Sequence, residues 1–350
     1  TTPSMVSWNK DGEAVVGAAA KRQMVTNATH TVFGVKRLLG RKFDSREVTT
    51  LRETLPYQVT PASNGDAWVE IRDHAISPQE IAALVLEKMK VIAEEFLGER
   101  VDEAIITVPA YFDEMQRQAT RDAGTIAGLQ VRAILNEPTA AALAYGLHQQ
   151  KNQRIAVFDL GGGTFDISIL SIESGVFEVL ATSGDNSLGG DDFDALLIKH
   201  LCSIFAREHN IDVRHDAVAL QRLKEAAERA KIELSSALVT DINLPFLAVG
   251  AGGPVHLQCE VKRAQLESLC ADLLARLLGP CEKALAAACM KPTDVDQVVL
   301  VGGMTRMPAV QVRVQQIFGK APSKGVTPDE IVAAGAATQS AIVAGELTEA

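Results

Sequence analysis

The sequence predicts a mixed α/β protein of about two domains. Three observations carry that reading. The chain has 350 residues, against a usual scale of roughly 150 residues per domain. Short apolar runs ending at glycine or proline alternate along it with amphipathic helical patterns. Hydrophobic residues make up 47% and charged residues 22%, enough apolar material for full-sized cores and unlike a disordered composition.

In chain order, Ile76-Ser77-Pro78-Gln79-Glu80-Ile81 supplies a hydrophobic staple, an N-cap serine, proline at the first helical position and a glutamate that closes the capping box. A helix starts there. Ile81, Leu84, Val85, Met89, Ile92 and Phe96 continue at three- and four-residue spacing until Gly98, and this face is expected to pack inward. The runs 104–108, which ends at Pro109, 155–160 and 298–301 read as buried strands. Residues 217–236 and 263–288 have helical patterns, and 242–261 reads as a strand pair turning around Gly250-Ala251-Gly252-Gly253-Pro254. Thr327-Pro328-Asp329-Glu330 repeats the capping box with proline and is expected to launch a last helix running to about residue 344.

Composition excludes several functions. A formal net charge of -10 opposes attraction to phosphate backbones and anionic lipid, so no nucleic-acid partner is expected. No apolar run reaches the ~18 residues that span a bilayer, and no charged-then-apolar leader opens the chain, so no membrane partner is expected and the location reads as cytoplasmic. The five cysteines, Cys202, Cys259, Cys270, Cys281 and Cys289, contain no C-x-x-C pair and read as buried free thiols.

The stretch from Asp159 to Asp166, with Gly161-Gly162-Gly163-Thr164 at its centre, lies between two strand-like runs and is a glycine hairpin. Three residues without Cβ let backbone N–H groups converge on an anion such as phosphate. Aspartates on both sides suit a phosphate that carries Mg²⁺, whose waters they can hold. The plain alternative is a flexible hairpin with surface aspartates. A second glycine loop, residues 184–194, follows the next strand and leads into a helix, and Gly302-Gly303 follows a buried strand. Three glycine turns at strand ends match the place where open α/β sheets bind ligands. No G-x-x-x-x-G-K-[ST] string and no helix-opening G-x-G-x-x-G is present.

The strings VFGVKRLLGRKF, AIITVPAYFDEMQRQATRDAG, LNEPTAAALAYGL, FDLGGGTFDIS, GDNSLGGDDFD, ERAKIELS and VLVGGMTRMP occur in an order that resembles the 70-kDa heat-shock chaperone family, and its bacterial DnaK-like branch most. The resemblance covers essentially the whole chain but only the ATPase domain of the longer family protein. It implies an actin-like ATPase fold with two lobes around a central nucleotide cleft: lobe I over 1–153 with the helix 327–344 packed back on it, and lobe II over 154–326. It implies binding of ATP or ADP with Mg²⁺, with K⁺ as a further candidate ion, and hydrolysis that drives client folding. A J-domain co-chaperone and a nucleotide exchange factor are the implied partners, together with unfolded client peptide held by a peptide-binding domain that lies beyond this sequence.

By motif, Lys36 matches the lysine facing the γ-phosphate and Glu137 the carboxylate near the metal-bound nucleotide. Asp159, Gly161, Gly162, Gly163, Thr164 and Asp166 match a phosphate loop, with Thr164 and the acids near attacking water and metal. Glu228, Lys231 and Ser235 match a nucleoside-contacting helix, while Gly302, Gly303 and Arg306 match the loop flanking adenine. Pro109 and Arg117 match a pair that relays nucleotide state to the partner domain. Taken singly, without the resemblance, Lys36 reads as a solvated lysine in the basic run with Arg37, Arg41 and Lys42, Glu137 as a first-turn acid that complements a helix dipole, and Arg306 as surface charge.

The sequence also departs from the family. Its members open with a DLGTTNS-type hairpin that carries a first phosphate loop, whereas Thr1-Thr2-Pro3-Ser4 matches the family just after it. One phosphate clamp, a metal-facing aspartate and central strands are therefore expected to be missing, which would leave strand edges open. Ala133 stands where related chains carry an arginine implicated in J-domain contact, which weakens that contact or leaves it to neighbouring Arg132. The alternative function is a truncated, non-hydrolysing nucleotide- or co-chaperone-binding module. A sugar or acid kinase on the same fold is disfavoured, because the chaperone strings extend beyond the phosphate loops.

Overall fold

Along the strand Gln153–Leu160, Ile155 and Val157 are buried on one face and Ala156, Phe158 and Leu160 on the other. A strand with no polar face belongs at the centre of a sheet covered on both sides. The computed structural model, which describes residues 1–146, 152–173, 176–323 and 327–346, places it there. Its sheet has the order Val176–Asp185, Phe165–Glu173, Gln153–Leu160, Gln297–Val301. The first three strands form an antiparallel meander, and the fourth joins in parallel with Val298 opposite Ala156.

This sheet organises the larger of two compact units, Glu137–Ala350. One face packs under the helices Gly190–His209, Ala217–Glu233, Leu278–Ala287 and Pro308–Phe318, in a core built around Phe158, Phe165, Phe193 and Phe205. The other face meets the alanine-rich helix Glu137–Gly146 and Ile331 of the last helix, Ile331–Val343. A long hairpin, Val239–Gly250 with Gly253–Lys262, completes the unit and turns at the glycines that the sequence pointed to.

The smaller unit, Thr1–Asn136, contains three separate sheets among the described residues. Two are antiparallel and three-stranded. The third pairs Glu103–Val108 in parallel with Gln130–Asn136, and the helix Glu114–Ile126 forms the crossover between them. The helix Pro78–Leu97 has the expected start: the Ser77 hydroxyl accepts from the Glu80 N–H, and the Glu80 carboxylate accepts from the Ser77 N–H. Gly98 ends it in the left-handed region, as a glycine C-cap does.

Five expectations are corrected. The apolar stripe of Pro78–Leu97 packs inward only over its first turns, for Met89 and Ile92 are exposed and Phe96 is 88% exposed. Residues 263–288 form three helices, Arg263–Leu269, Ala271–Arg276 and Leu278–Ala287, because proline is tolerated in a first turn, where its missing N–H is not needed, and Pro280 falls in the first turn of the third. The helix expected over 217–236 ends at Glu233. The last helix begins at Ile331 rather than behind a Thr327 cap, since the 327–330 turn is drawn into long-range contacts described below. Cys289 is exposed, just beyond the end of Leu278–Ala287, and Cys259 is half-buried, whereas Cys202, Cys270 and Cys281 are buried as expected. Leu147, the last residue of the LNEPTAAALAYGL string, and residues 347–350 lie outside the described residues.

Candidate functional site

Register builds the first part of the site. Phe165 pairs with Leu160, and Asp166 stands directly opposite Asp159. The turn between them is closed by the Gly161 N–H, which donates to the Thr164 carbonyl at 3.1 Å. Directly opposed residues project from the same face of a sheet, so the hairpin sets two carboxylates side by side. Like charges so placed repel, and a cation relieves them. The Thr164 hydroxyl donates to Asp166 Oδ2 at 3.1 Å.

The second glycine loop is bonded onto this turn through its backbone. The Gly190 N–H donates to the Gly161 carbonyl at 3.0 Å and the Asp191 N–H to the Gly162 carbonyl at 2.8 Å. A Cβ on Gly189 would stand 2.5 Å from the Gly162 oxygen, so the two loops touch main chain to main chain. The Gly189 N–H donates to the Asp192 carboxylate at 2.8 Å, at the start of Gly190–His209. The third turn closes from the other side. Gly302 has a φ of +84°, and a Cβ there would overlap the Leu160 carbonyl and come within 2.8 Å of Asp159 Oδ1. Only glycine satisfies both the conformation and the approach. The first two turns are near one another in sequence and the third follows more than a hundred residues later, yet all three meet within one unit.

Two side chains that sequence reasoning missed hold the second loop. Arg276 donates through Nη2 to Asp185 Oδ2 at 2.7 Å and to the Ser187 carbonyl at 3.1 Å. Partial burial works against the charge of Asp185, but the Arg276 guanidinium and the Ser187 N–H and hydroxyl outweigh it and hold the carboxyl below its usual range. Asp194 is the other. It is buried and accepts from Lys231 Nζ at 2.8 Å. Asp194 ends the second glycine loop, residues 184–194, but neither residue was given a role from sequence, because their partners lie 91 and 37 residues away.

The expected nucleoside-side residues are placed unevenly. Glu228 is half-buried on Ala217–Glu233. Lys231 is buried, with its ammonium on Asp194 and the Gly190 carbonyl. Ser235 lies past the helix end, its hydroxyl donating to the Lys231 carbonyl at 3.3 Å. Arg306 follows Gly303 in a 3-10 turn and donates through Nε to Asp329 at 2.9 Å, a bond that holds the Asp329 carboxyl below its usual range. The Gly302 N–H donates to the Pro328 carbonyl at 2.9 Å. These two bonds recruit the 327–330 turn to the third glycine loop, and the capping box expected there does not form.

In the smaller unit, Gly34 in the left-handed region introduces the 3-10 turn Val35–Arg37, and Lys36 is exposed on it with Nζ 5.9 Å from the Phe112 ring centroid. Its neighbours Arg41 and Lys42 pair with Asp113 and Asp66. Pro109 is buried at the end of Glu103–Val108, and its carbonyl accepts from the Phe112 N–H. Arg117 donates to the Phe112 carbonyl at 3.1 Å and to Asn136 Oδ1 at 2.7 Å, tying the Pro109 turn to the end of the neighbouring strand. Arg132 is the extra residue of a bulge, with Val131 opposite Ala104 and Ala133 opposite Ile105, and it lies 3.6 Å from the Glu103 carboxylate. Glu137, half-buried, opens the helix Glu137–Gly146.

The family model described as Hsp70 protein matches residues 1–350, the whole chain. The chain belongs to the Hsp70 family. Its mixed α/β architecture is that of the actin-like Hsp70 ATPase fold, and Hsp70 proteins are chaperones that bind ATP or ADP with Mg²⁺. The residues of this Hsp70 chain fit such a ligand: a turn of three glycines lies beside two opposed aspartates. Among the described residues no group of three or more His, Cys, Asp or Glu is placed to hold a metal ion. Two carboxylates suit Mg²⁺, which keeps most of its waters, better than a metal that needs a full protein cage. No helix among the described residues is long and apolar enough to cross a membrane.

Proposed function

We propose that this chain is the ATPase region of a DnaK-like Hsp70 chaperone, and that it binds and hydrolyses Mg-ATP. The observation that carries the reading is the meeting of three glycine turns around Asp159 and Asp166. The Gly161-Gly162-Gly163 turn, held closed by the Gly161 N–H on the Thr164 carbonyl, presents its remaining backbone to the phosphates, and the Asp159 and Asp166 carboxylates hold the waters of Mg²⁺. When bound with the nucleotide, Mg²⁺ neutralises charge on the phosphates during transfer to water. The Thr164 hydroxyl orients the attacking water and a carboxylate, Asp166 or Glu137, receives its proton, while Lys36, assigned by its motif, stabilises charge on the γ-phosphoryl group.

On the nucleoside side, Glu228 and Ser235 take the ribose, and Gly302, Gly303 and Arg306 flank the base. Lys231 belongs with them by motif, yet its ammonium already has two protein partners. Pro109 and Arg117 relay the nucleotide state, and the family two-lobe division at 153 and 326, with the last helix returning to lobe I, remains part of the proposal. So do a cytoplasmic location, a K⁺ ion, and J-domain, exchange-factor and client partners. Calorimetry with Mg-ATP followed by single-turnover hydrolysis tests the reading. Binding with turnover supports it; binding without turnover points to a non-hydrolysing module, and no binding overturns it.

A further inference from the structure

Lys231 and Asp194 are a buried ion pair, Nζ to Oδ2 2.8 Å, with side chains 10% and 4% exposed. Asp194 Oδ1 is buried as well and has no hydrogen-bond partner. Burial pushes the Asp194 carboxyl above its usual range, against the pull of the Lys231 ammonium, with Glu228 and Asp191 pushing the same way as burial. A pair whose desolvation is so poorly offset is weak evidence for a stabilising role, and an apolar pair of similar volume often serves stability better. Its position says more than its energy.

Lys231 Nζ also donates to the Gly190 carbonyl at 3.1 Å. A Cβ on Gly190 would stand 3.0 Å from that same Nζ and 3.0 Å from Met304 Cγ, so the start of Gly190–His209 is packed against both the ammonium and the third glycine loop. Gly190 and Asp191 in turn donate their N–H groups to the Gly161 and Gly162 carbonyls. The contacts form one unbroken chain from Asp194 through Lys231 and Gly190 to the phosphate turn. Glycine-rich backbone has no side chains to fix it, so its shape depends on such outside bonds.

We propose that Asp194 is a positioning residue that acts through Lys231 to fix the Gly161–Gly163 turn in its anion-accepting shape. The proposal rests on the nucleotide reading above for its consequence in binding, but not for its structural content. It gives Lys231 a second task, that of a clamp within the protein.

Amide hydrogen exchange in the nucleotide-free chain reads the clamp directly, with Asp194→Asn, Lys231→Met and the double variant. Each single variant should speed exchange at Gly190 and Asp191 by on the order of 10-fold, while core amides of Phe158 and Ile167 keep their protection. The double variant should be no faster than the faster single, because both residues act through one link. No selective acceleration, equal acceleration in the core, or multiplying effects in the double variant would each overturn the proposal. Calorimetry then separates it from the nucleotide reading. If the parent chain binds Mg-ATP, Asp194→Asn should raise Kd about 10-fold, as misplaced binding groups do; an unchanged Kd overturns the positioning role. A parent that binds no Mg-ATP but shows the selective exchange overturns the nucleotide reading and leaves the clamp standing.

Discussion

Gly335 of the last helix lies against the main chain of Ala140: a Cβ on Gly335 would overlap the Ala140 carbonyl. The helices Glu137–Gly146 and Ile331–Val343 approach this closely because both are lined with alanine and glycine. Helix propensity alone favours alanine over glycine by about 1 kcal/mol. Overpacking costs about 1–3 kcal/mol, and here the obstacle is backbone that cannot rotate away. Gly335→Ala should therefore lower the denaturation midpoint, and a raised midpoint would refute the close crossing.

Asp159 and Asp166 give opposite signs with and without magnesium. Asp166→Asn removes one of two opposed like charges, a relief of about 0.2–1 kcal/mol. Stability without divalent ions should rise slightly or hold, while Mg-ATP affinity falls. Thermal melts with EDTA and with Mg-ATP measure both; a loss of stability in EDTA matching that in Mg-ATP would show the pair to be structural.

The Asp185–Arg276 pair should be sensitive to acid. The folded carboxyl is held below its ordinary value of 3.8, so its stabilisation is present above that value and is lost as pH falls through the folded pKa. Both side chains are partly exposed, which limits the gain to about 1 kcal/mol or less. Arg276→Ala should be the less stable protein at pH 6, and urea titrations should show the gap closing as pH falls below 3.8 and through the folded pKa. A gap independent of pH would assign the loss to packing.

The cysteines should separate by reactivity. Burial pushes the Cys270 and Cys281 thiols up to about 12, so neither offers thiolate at neutral pH, whereas Cys289 is exposed. A thiol reagent read by mass spectrometry should label Cys289 first and Cys270 and Cys281 only on unfolding. Early modification of Cys281 would contradict the packing of Leu278–Ala287.

Elements with local causes were legible in the sequence. The helix Pro78–Leu97 was readable at both ends because Ser77, Glu80 and Gly98 act within a turn of where they sit. The Asp159–Asp166 hairpin was readable because three glycines between two apolar runs leave few other conformations. What escaped was decided across distance. Thr327 has every local reason to cap a helix, yet Gly302 and Arg306 take its turn for other bonds. Lys231 was assigned to the nucleoside by its motif, and nothing within a helical turn of it announces its partner Asp194. The inward stripe was overread at Met89, Ile92 and Phe96, since periodicity reports that a face is apolar and not what covers it.

The central strand has a kinetic consequence. Its antiparallel partner Phe165–Glu173 follows within a few residues, but its parallel partner Gln297–Val301 comes far later, and the bond from the Arg154 N–H to Asp296 Oδ2 spans 142 residues. Contacts of such separation form slowly, because the loop between them must be closed first. At roughly 5–20 residues per second of synthesis, a nascent chain carries the open edge of Gln153–Leu160 for roughly 7–28 s before its neighbour exists. During that interval a protein of a chaperone family displays an unpaired strand edge with the apolar run Ile155-Ala156-Val157-Phe158 at its centre, of the kind that recruits unwanted partners.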